Sequence, residues 1–136
     1  MIIPQKQDLY IYQGATFDQT WEFIDSTTSS SIDFTNKTAK LSMKLSYEHT
    51  TSIHTITTDI SASNGHIELI NEVIGVSNSQ YRIVIPADIT ADFPYTLERN
   101  TPKKVMIYDL KLIDINGEID RMVYGAITVS PEVTTL

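Results

Sequence analysis

The sequence contains no cysteine. Neither a disulfide framework nor a thiolate zinc site is therefore possible. Glycine and proline are scarce, with five residues of each, which excludes a collagen-like or glycine-rich repeat. Lys and Arg are also few, since ten of them stand against seventeen Asp and Glu, and the net charge is −7. Because phosphate neutralisation needs a basic face, and an anionic membrane repels an acidic chain, we expect no binding to nucleic acid or to a membrane surface.

Long apolar runs are missing as well. No run approaches the roughly 20 residues that cross a bilayer, and the first residues, Met1-Ile-Ile-Pro-Gln-Lys-Gln-Asp8, lack the basic start and long apolar core of a signal peptide. We therefore expect no membrane insertion, and synthesis in a cytoplasm.

Histidine, a frequent general base and metal ligand, occurs three times without a useful spacing. His49 and His54 are five residues apart, which fits neither two ligands on one strand face nor two ligands one helical turn apart. We interpret both residues, together with His66, as surface or loop histidines.

Two groups of acidic residues are candidates for a reaction or a metal site. Asp88 and Asp92, with Glu98 nearby, offer carboxylates of the kind that glycosidases use, but such enzymes need a long groove for which 136 residues leave little room. The segment Asp114-Ile-Asn-Gly-Glu118, with Asp109 before it, lacks the full calcium-binding loop, and turn chemistry explains it. Nucleophile elbows and phosphate-binding glycine loops are absent. The sequence therefore predicts no catalytic residue, no cofactor and no metal ligand.

Alternating apolar residues indicate strands in much of the chain. Phe17, Trp21 and Phe23 occupy odd positions between polar neighbours, which predicts one buried strand face. From Thr38 to Tyr47 every second residue is again apolar, whereas a helix would scatter these residues around its circumference. Only the segment 86–94 has helical character, and its bounding prolines limit it to about one or two turns.

About eight strand-like segments, separated by turn signals every ten or so residues, predict an all-β protein. We predict a single antiparallel β-sandwich of immunoglobulin-like appearance that spans 1–136 as one domain. The first seven and the last four residues are expected to be loose extensions, available for docking on neighbouring subunits. Asn116-Gly117 is expected to form a type I′ hairpin turn, and Asn64-Gly65 a second hairpin-type turn.

The C-terminal part of the chain resembles a known group of proteins. The segment 108–134 reads YDL-x-L-x-D-x-x-G-x-x-x-R-x-x-x-G-x-x-x-VSPEVT, and Ile32-Asp-Phe-Thr-Asn36 is similar to a DLTG step with Asn in place of Gly. Asn also tolerates the left-handed backbone region. This combination resembles small tail-associated virion proteins of bacteriophages and the N-terminal β-sandwich domain of phage upper baseplate proteins. The resemblance implies a non-enzymatic structural protein of the virion, assembled in the bacterial host cytoplasm and present in several symmetric copies.

On this resemblance we expect a tail or baseplate connector. Its partners would be other phage structural proteins, and it would join fibres or peripheral parts to the tail by protein–protein contacts. Two alternatives stay open, namely a capsid decoration or cement protein and a receptor-recognition module that binds host glycan through an exposed Trp21 or Tyr124. A polysaccharide-cleaving enzyme is a third.

Candidates for contacts with neighbouring subunits are Tyr10, Tyr12, Arg121, Tyr124 and Val133. Tyrosine is enriched at interfaces, although Tyr10 and Tyr12 would also suit a core. The segment 122–127 is apolar on both strand faces, which is typical of a strand covered by the core on one side and by a partner on the other. In the alternative arrangement Val123 and Ile127 face the core and Tyr124 faces solvent.

Overall fold

The computed structural model describes residues 2–133. Within that range the chain forms twelve strands and one short helix: β1 (Gln5–Lys6), β2 (Leu9–Tyr12), β3 (Phe17–Glu22), β4 (Ile24–Asp25), β5 (Ser30–Ser31), β6 (Thr38–Lys44), β7 (His54–Thr57), β8 (His66–Ile70), β9 (Gln80–Ile85), α1 (Ala87–Thr90), β10 (Thr96–Glu98), β11 (Thr101–Ile113) and β12 (Ile119–Ser130). The predictions of an all-β protein and of one short helical segment near 86–94 are confirmed. The immunoglobulin-like sandwich, the single-domain assignment and the number of strands stay predictions.

The largest sheet has seven strands in the order β1-β12-β11-β6-β7, with β10 added to β11 and β2 added to β12. Both β1 and β2 run parallel to β12, so the prediction of a purely antiparallel fold is wrong. The prediction of a loose N-terminus is also wrong, because Gln5 and Lys6 pair with Val123 and Tyr124 and the Gln7 amide donates a hydrogen bond to the Tyr124 carbonyl. At the other end, 134–136 of the predicted loose segment lie outside the described residues.

A second, antiparallel sheet has the order β3-β9-β8, and β4 and β5 form a two-stranded antiparallel ribbon. Buried side chains from both larger sheets belong to one hydrophobic cluster, which includes Leu41, Leu110, Ile67 and Ile83. The large sheet therefore has one face turned toward this shared core and one face turned away from it. We call the second one the outer face.

Phe17 and Phe23 are buried as their odd spacing predicts, and Trp21 is half-buried, stacked on Tyr81 with 5.3 Å between ring centroids. The alternating segment 38–47 is shorter as a strand than its sequence pattern suggests. β6 ends at Lys44, and Tyr47 is exposed. A bend and a turn follow Lys44, so the period of two no longer determines which way a side chain points.

The type I′ turn occurs at a different place from the one predicted. At the β11–β12 hairpin the Gly117 amide donates to the Asp114 carbonyl, and Gly117 has φ +84° whereas Asn116 has no positive φ. This geometry is that of a three-residue loop with a left-handed glycine. Arg99 and Asn100, between paired Glu98 and Thr101, both have positive φ, of 53° and 64°. A type I′ turn needs positive φ at both central residues, so it is the β10–β11 connection that forms one.

Asn64-Gly65 does not close a hairpin, because β7 pairs with β6 in the large sheet and β8 pairs with β9 in the small one. The turn carries the chain from one sheet to the other. Gly65 is needed there because a Cβ atom would overlap the Val84 carbonyl oxygen. No helix among residues 2–133 is long and apolar enough to cross a membrane.

Candidate functional site

The outer face of the large sheet carries a row of three cationic side chains. Lys40 on β6 is paired with Lys111 on β11, and Lys111 is in turn paired with Arg121 on β12. Neighbouring strands lie about 4.8 Å apart, so three like charges stand side by side across three strands. All three residues are exposed. We call these residues the cationic row.

Strand alternation produces this row. Leu41, Leu110 and Val123 form a register row of fully buried side chains on the core face of the same three strands. Side chains of successive residues point to opposite faces, so Lys40 and Lys111, which neighbour the buried leucines, are turned outward.

A β-bulge brings Arg121 to the outer face. The pairing changes register between Leu110 opposite Val123 and Lys111 opposite Arg121, which leaves Met122 as the extra residue. Because of this extra residue, Met122 and Val123 are both fully buried, and Arg121 lies on the same side as Tyr124. The bulge accounts for the burial of two successive apolar residues, and the expectation that a partner covers the outer side of this strand stays a prediction. Val123 and Ile127 are fully buried, as the alternative arrangement has them, and Tyr124 lies on the outer face but is half-buried.

An open hollow of about 330 Å³ lies beside the cationic row. Its lining includes the three cations of the row and, in addition, Lys44, Ser42, Tyr47, Ile107 and Asp109. Tyr47 and Ile107 supply apolar surface, and Tyr47 is 76% exposed. We call this feature the cationic hollow.

One carboxylate moderates the positive charge of the hollow. Asp109 Oδ2 lies 3.7 Å from Arg121 Nε, and the Arg121 guanidinium also lies over the Tyr124 ring, 4.7 Å from its centroid. Lys40, Lys44 and Lys111 take part in none of the ion pairs found among residues 2–133. A chain with net charge −7 thus carries a locally positive surface.

Four of the five predicted contact residues lie on this same face. Tyr10 and Tyr12 are in parallel register with Thr128 and Ser130, which alternate with the buried Ile127 and Val129. The two tyrosine rings are 5.2 Å apart and 44% and 62% exposed, so the alternative that they belong to the core is wrong. They extend the outer face beyond Arg121 and Tyr124. Val133 is 99% exposed but lies beyond the end of β12, outside this register.

A tyrosine under the hollow helps to hold the N-terminal strands in place. Tyr108 is buried on the core side of β11, and its hydroxyl donates a hydrogen bond to the Gln7 carbonyl oxygen. Burial raises the pKa of Tyr108 well above its usual range, so the phenol keeps its proton and remains a donor. Next to it, the Asp8 carboxylate accepts a hydrogen bond from the Ala126 amide. This hydrogen bond and the nearby Lys104 ammonium group both lower the pKa of Asp8.

Three of the residues weighed for chemistry, His49, His54 and Asp114, take part in local hydrogen bonds. His49 Nδ1 is hydrogen-bonded to Ser46 Oγ, and His54 Nε2 to the Asn64 carbonyl. Asp114 accepts hydrogen bonds from the Asn116 and Glu118 amides and so shapes the hairpin turn. Within the described part of the chain no group of three His, Cys, Asp or Glu side chains is placed to hold a metal ion.

Sequence reasoning missed the loop between β8 and β9. Val73, Ile74 and Val76 are 53%, 91% and 80% exposed there, and a small hairpin closed by paired Val73 and Ser77 holds them. The signal was present, because Val-Ile-Gly-Val interrupts a polar connection. The cationic row could not be predicted in this way, because it depends on the register between three strands and no single segment of the sequence determines that register.

No protein-family model matches the chain, and no curated protein matches its sequence.

Proposed function

We propose that this chain is a non-enzymatic structural protein of a bacteriophage virion, a tail or baseplate connector that binds other structural proteins through its outer sheet face. The sequence resemblance supports the location. The cationic row supports the mode of action, because it places three like charges in direct register on an otherwise acidic protein. The proposed mechanism is binding without turnover.

The cationic row favours an acidic partner. Like charges directly opposite each other on adjacent strands destabilise a sheet, by roughly 0.2 to 1 kcal/mol for each pair. Carboxylates of a docked partner would remove this repulsion and would gain attraction from Lys40 and Lys111, which have no ion-pair partner among residues 2–133. The face is therefore complementary to an acidic protein surface.

The aromatic residues around the row favour a protein partner. Tyr10, Tyr12 and Tyr124 lie on the same face as Arg121, and Tyr and Arg are the residue types that contribute most often to binding hot spots. The face extends across five neighbouring strands, from β2 through β12, β11 and β6 to β7, which suits the broad contact of a connector. In a particle with several copies, weak contacts would add through multivalency.

The proposal is tested by removing the coding sequence from the phage genome that carries it and imaging purified particles by electron microscopy. We expect particles that lack density at the tail or baseplate and lose the peripheral parts attached there. Supplying the wild-type chain during infection should restore both. The variant with Lys40→Glu and Lys111→Glu should be made in equal amount yet fail to restore them.

The matched control is the variant Lys37→Glu with Lys103→Glu, which makes the same charge change at cations outside the cationic hollow. It should restore the particles. If the chain is absent from purified particles, the virion assignment is wrong. Density on the head would establish the capsid alternative instead, and normal rescue by the cationic-row variant would refute the role of the outer face.

A further inference from the structure

The β8–β9 loop forms a protruding apolar tip. The Val73 and Ser77 amides and carbonyls exchange hydrogen bonds of 3.0 Å, and Gly75 with φ +78° closes the turn between them. A Cβ atom at Gly75 would meet nothing within 4 Å, so the turn faces open space at this residue. Burial of Val73, Ile74 and Val76 would be favourable by about 25 cal/mol for each Å² of apolar surface removed from water. We call Val73–Val76 the apolar tip.

Acidic residues surround the apolar tip. Exposed Glu72 directly precedes it, and one shallow depression beside it contains both Glu22 and Glu72. A second depression, which shares Glu72 with the first, contains Asp33 and Ile74. None of the ion pairs within 2–133 includes these three carboxylates. The tip is thus an apolar projection with an acidic rim.

The cationic hollow has the opposite properties. It is concave where the tip projects and positive where the rim of the tip is negative, and Tyr47 and Ile107 give it apolar surface for Val and Ile side chains. We propose that the apolar tip of one copy of this chain docks in the cationic hollow of a second copy. The inference rests on the proposed function, which assigns binding to the outer face. It deepens that function by naming one acidic partner of this face.

The placement of the two surfaces predicts a head-to-tail assembly. The tip belongs to the small sheet, whereas the hollow lies on the face of the large sheet that is turned away from the shared core. The tip and the hollow share no residue, so one copy is able to use both at the same time. Such a heterologous contact generates rings when the rotation closes and filaments when it does not. An anionic membrane is a poor alternative for the tip, because its rim is acidic.

Light scattering coupled to size-exclusion chromatography tests the inference on the purified chain. At low salt and rising concentration we expect the molar mass to reach at least twice the 15.3 kDa of one chain. At about 1 M salt, where the Debye length is only about 3 Å, the mass should fall toward that of one chain. A wild-type chain that stays monomeric at all concentrations and at low salt would overturn the inference.

Two single variants locate the contact. Ile74→Ser alters the tip and Lys111→Glu alters the hollow, and each should keep the mass at that of one chain. Ile115→Ser, at another largely exposed isoleucine in a different loop, and Lys103→Glu, elsewhere on β11, are the matched controls and should assemble like the wild type. If the chain assembles but neither Ile74→Ser nor Lys111→Glu changes its mass, the assembly uses another surface and the inference is wrong.

Mixing the two variants gives the sharpest result. The Lys111→Glu chain has an intact tip and the Ile74→Ser chain an intact hollow, so a mixture should form a 1:1 complex although each variant alone is monomeric. The complex would also show that both variants are folded, and absence of a complex between two folded variants would contradict head-to-tail docking. Self-association in solution and the location in the particle are tested separately. A chain that stays monomeric in solution would refute the docking of the tip but could still be part of a tail. A chain that self-associates but is absent from particles would refute the virion assignment alone.

Discussion

Lys111 on β11 lies directly opposite Arg121 on β12, and on its other side Lys111 lies opposite Lys40 on β6. The middle cation therefore has a like charge on both flanks. Arg121 has compensation from Asp109 and from the Tyr124 ring, whereas Lys111 takes part in none of the ion pairs found in residues 2–133. Of the three charges, that of Lys111 is therefore expected to cost the isolated chain the most.

Replacing this middle cation should stabilise the free protein. We expect Lys111→Gln to raise the free energy of unfolding by about 0.4 to 2 kcal/mol, because it removes two repulsive cross-strand pairs. The measurement is urea unfolding at low salt, and the gain should shrink at about 1 M salt, where the repulsion is screened. Lys103→Gln is the control, since Lys103 is paired with the uncharged Thr96. A larger loss of stability in Lys111→Gln than in Lys103→Gln would contradict the prediction.

Acid should weaken the small sheet through Asp18. Arg82 donates hydrogen bonds of 2.8 and 2.7 Å to the two oxygens of this carboxylate, which lowers the pKa of Asp18 below its ordinary value. A lowered pKa in the folded state means that the stabilisation is present above the unfolded value of about 3.9 and is lost as the pH falls through the folded value. Because the pair is partly exposed, Asp18→Asn should cost at most about 1 kcal/mol at neutral pH.

Urea unfolding at a series of pH values from neutral to acid measures this effect. The difference between the wild type and Asp18→Asn should be full above about pH 4 and should vanish as the pH falls further, through the lowered pKa of Asp18. In an Arg82→Gln background the same replacement should have little effect at any pH. A difference that persists unchanged in acid, or that survives the loss of Arg82, would show that the ion pair is not its source.

Close packing of the N-terminal strands requires glycine at position 125. A Cβ atom there would overlap the backbone carbonyl oxygen of Gln7, between the β1 and β2 pairings with β12. We expect Gly125→Ala to destabilise the protein by about 1 to 3 kcal/mol and to speed trypsin cleavage after Lys6. Tyr108→Phe, which removes the hydrogen bond to the same carbonyl without adding bulk, should cost about 0.5 to 1.5 kcal/mol. Wild-type cleavage rates in Gly125→Ala would contradict this account of the N-terminus.

Substitutions in the β10–β11 turn should stabilise the protein. Arg99 holds a left-handed conformation that costs an ordinary side chain roughly 1 to 2 kcal/mol, and Asn-Gly is the preferred pair for a type I′ turn. The double replacement Arg99→Asn with Asn100→Gly should therefore raise the free energy of unfolding by about 1 kcal/mol, measured by urea or thermal unfolding. Asn-Gly would not stabilise a turn whose two central residues have negative φ. An unchanged or lower free energy of unfolding would therefore contradict the type I′ assignment.

Local sequence patterns predicted the elements that depend on neighbouring residues. The alternation in β3 and β6 marks strands that the structure contains, with bounds within a few residues. Asn36 adopts φ of 60°, in keeping with its tolerance of the left-handed region. The strand ends were less predictable, because Leu45 and Tyr47 continue the alternation after the ladder with β11 and β7 has ended.

The sequence by itself determined that this chain forms strands and that Tyr10, Tyr12, Arg121 and Tyr124 are candidates for contacts, since side-chain alternation and residue type are local properties. Only the tertiary structure decided that β1 and β2 run parallel to β12, that one extra residue at Met122 turns Arg121 outward, and that Lys40, Lys111 and Arg121 stand in one row. The physical reason is that register and strand direction arise from pairing between segments far apart in the chain, and a shift of one residue reverses which face every side chain occupies.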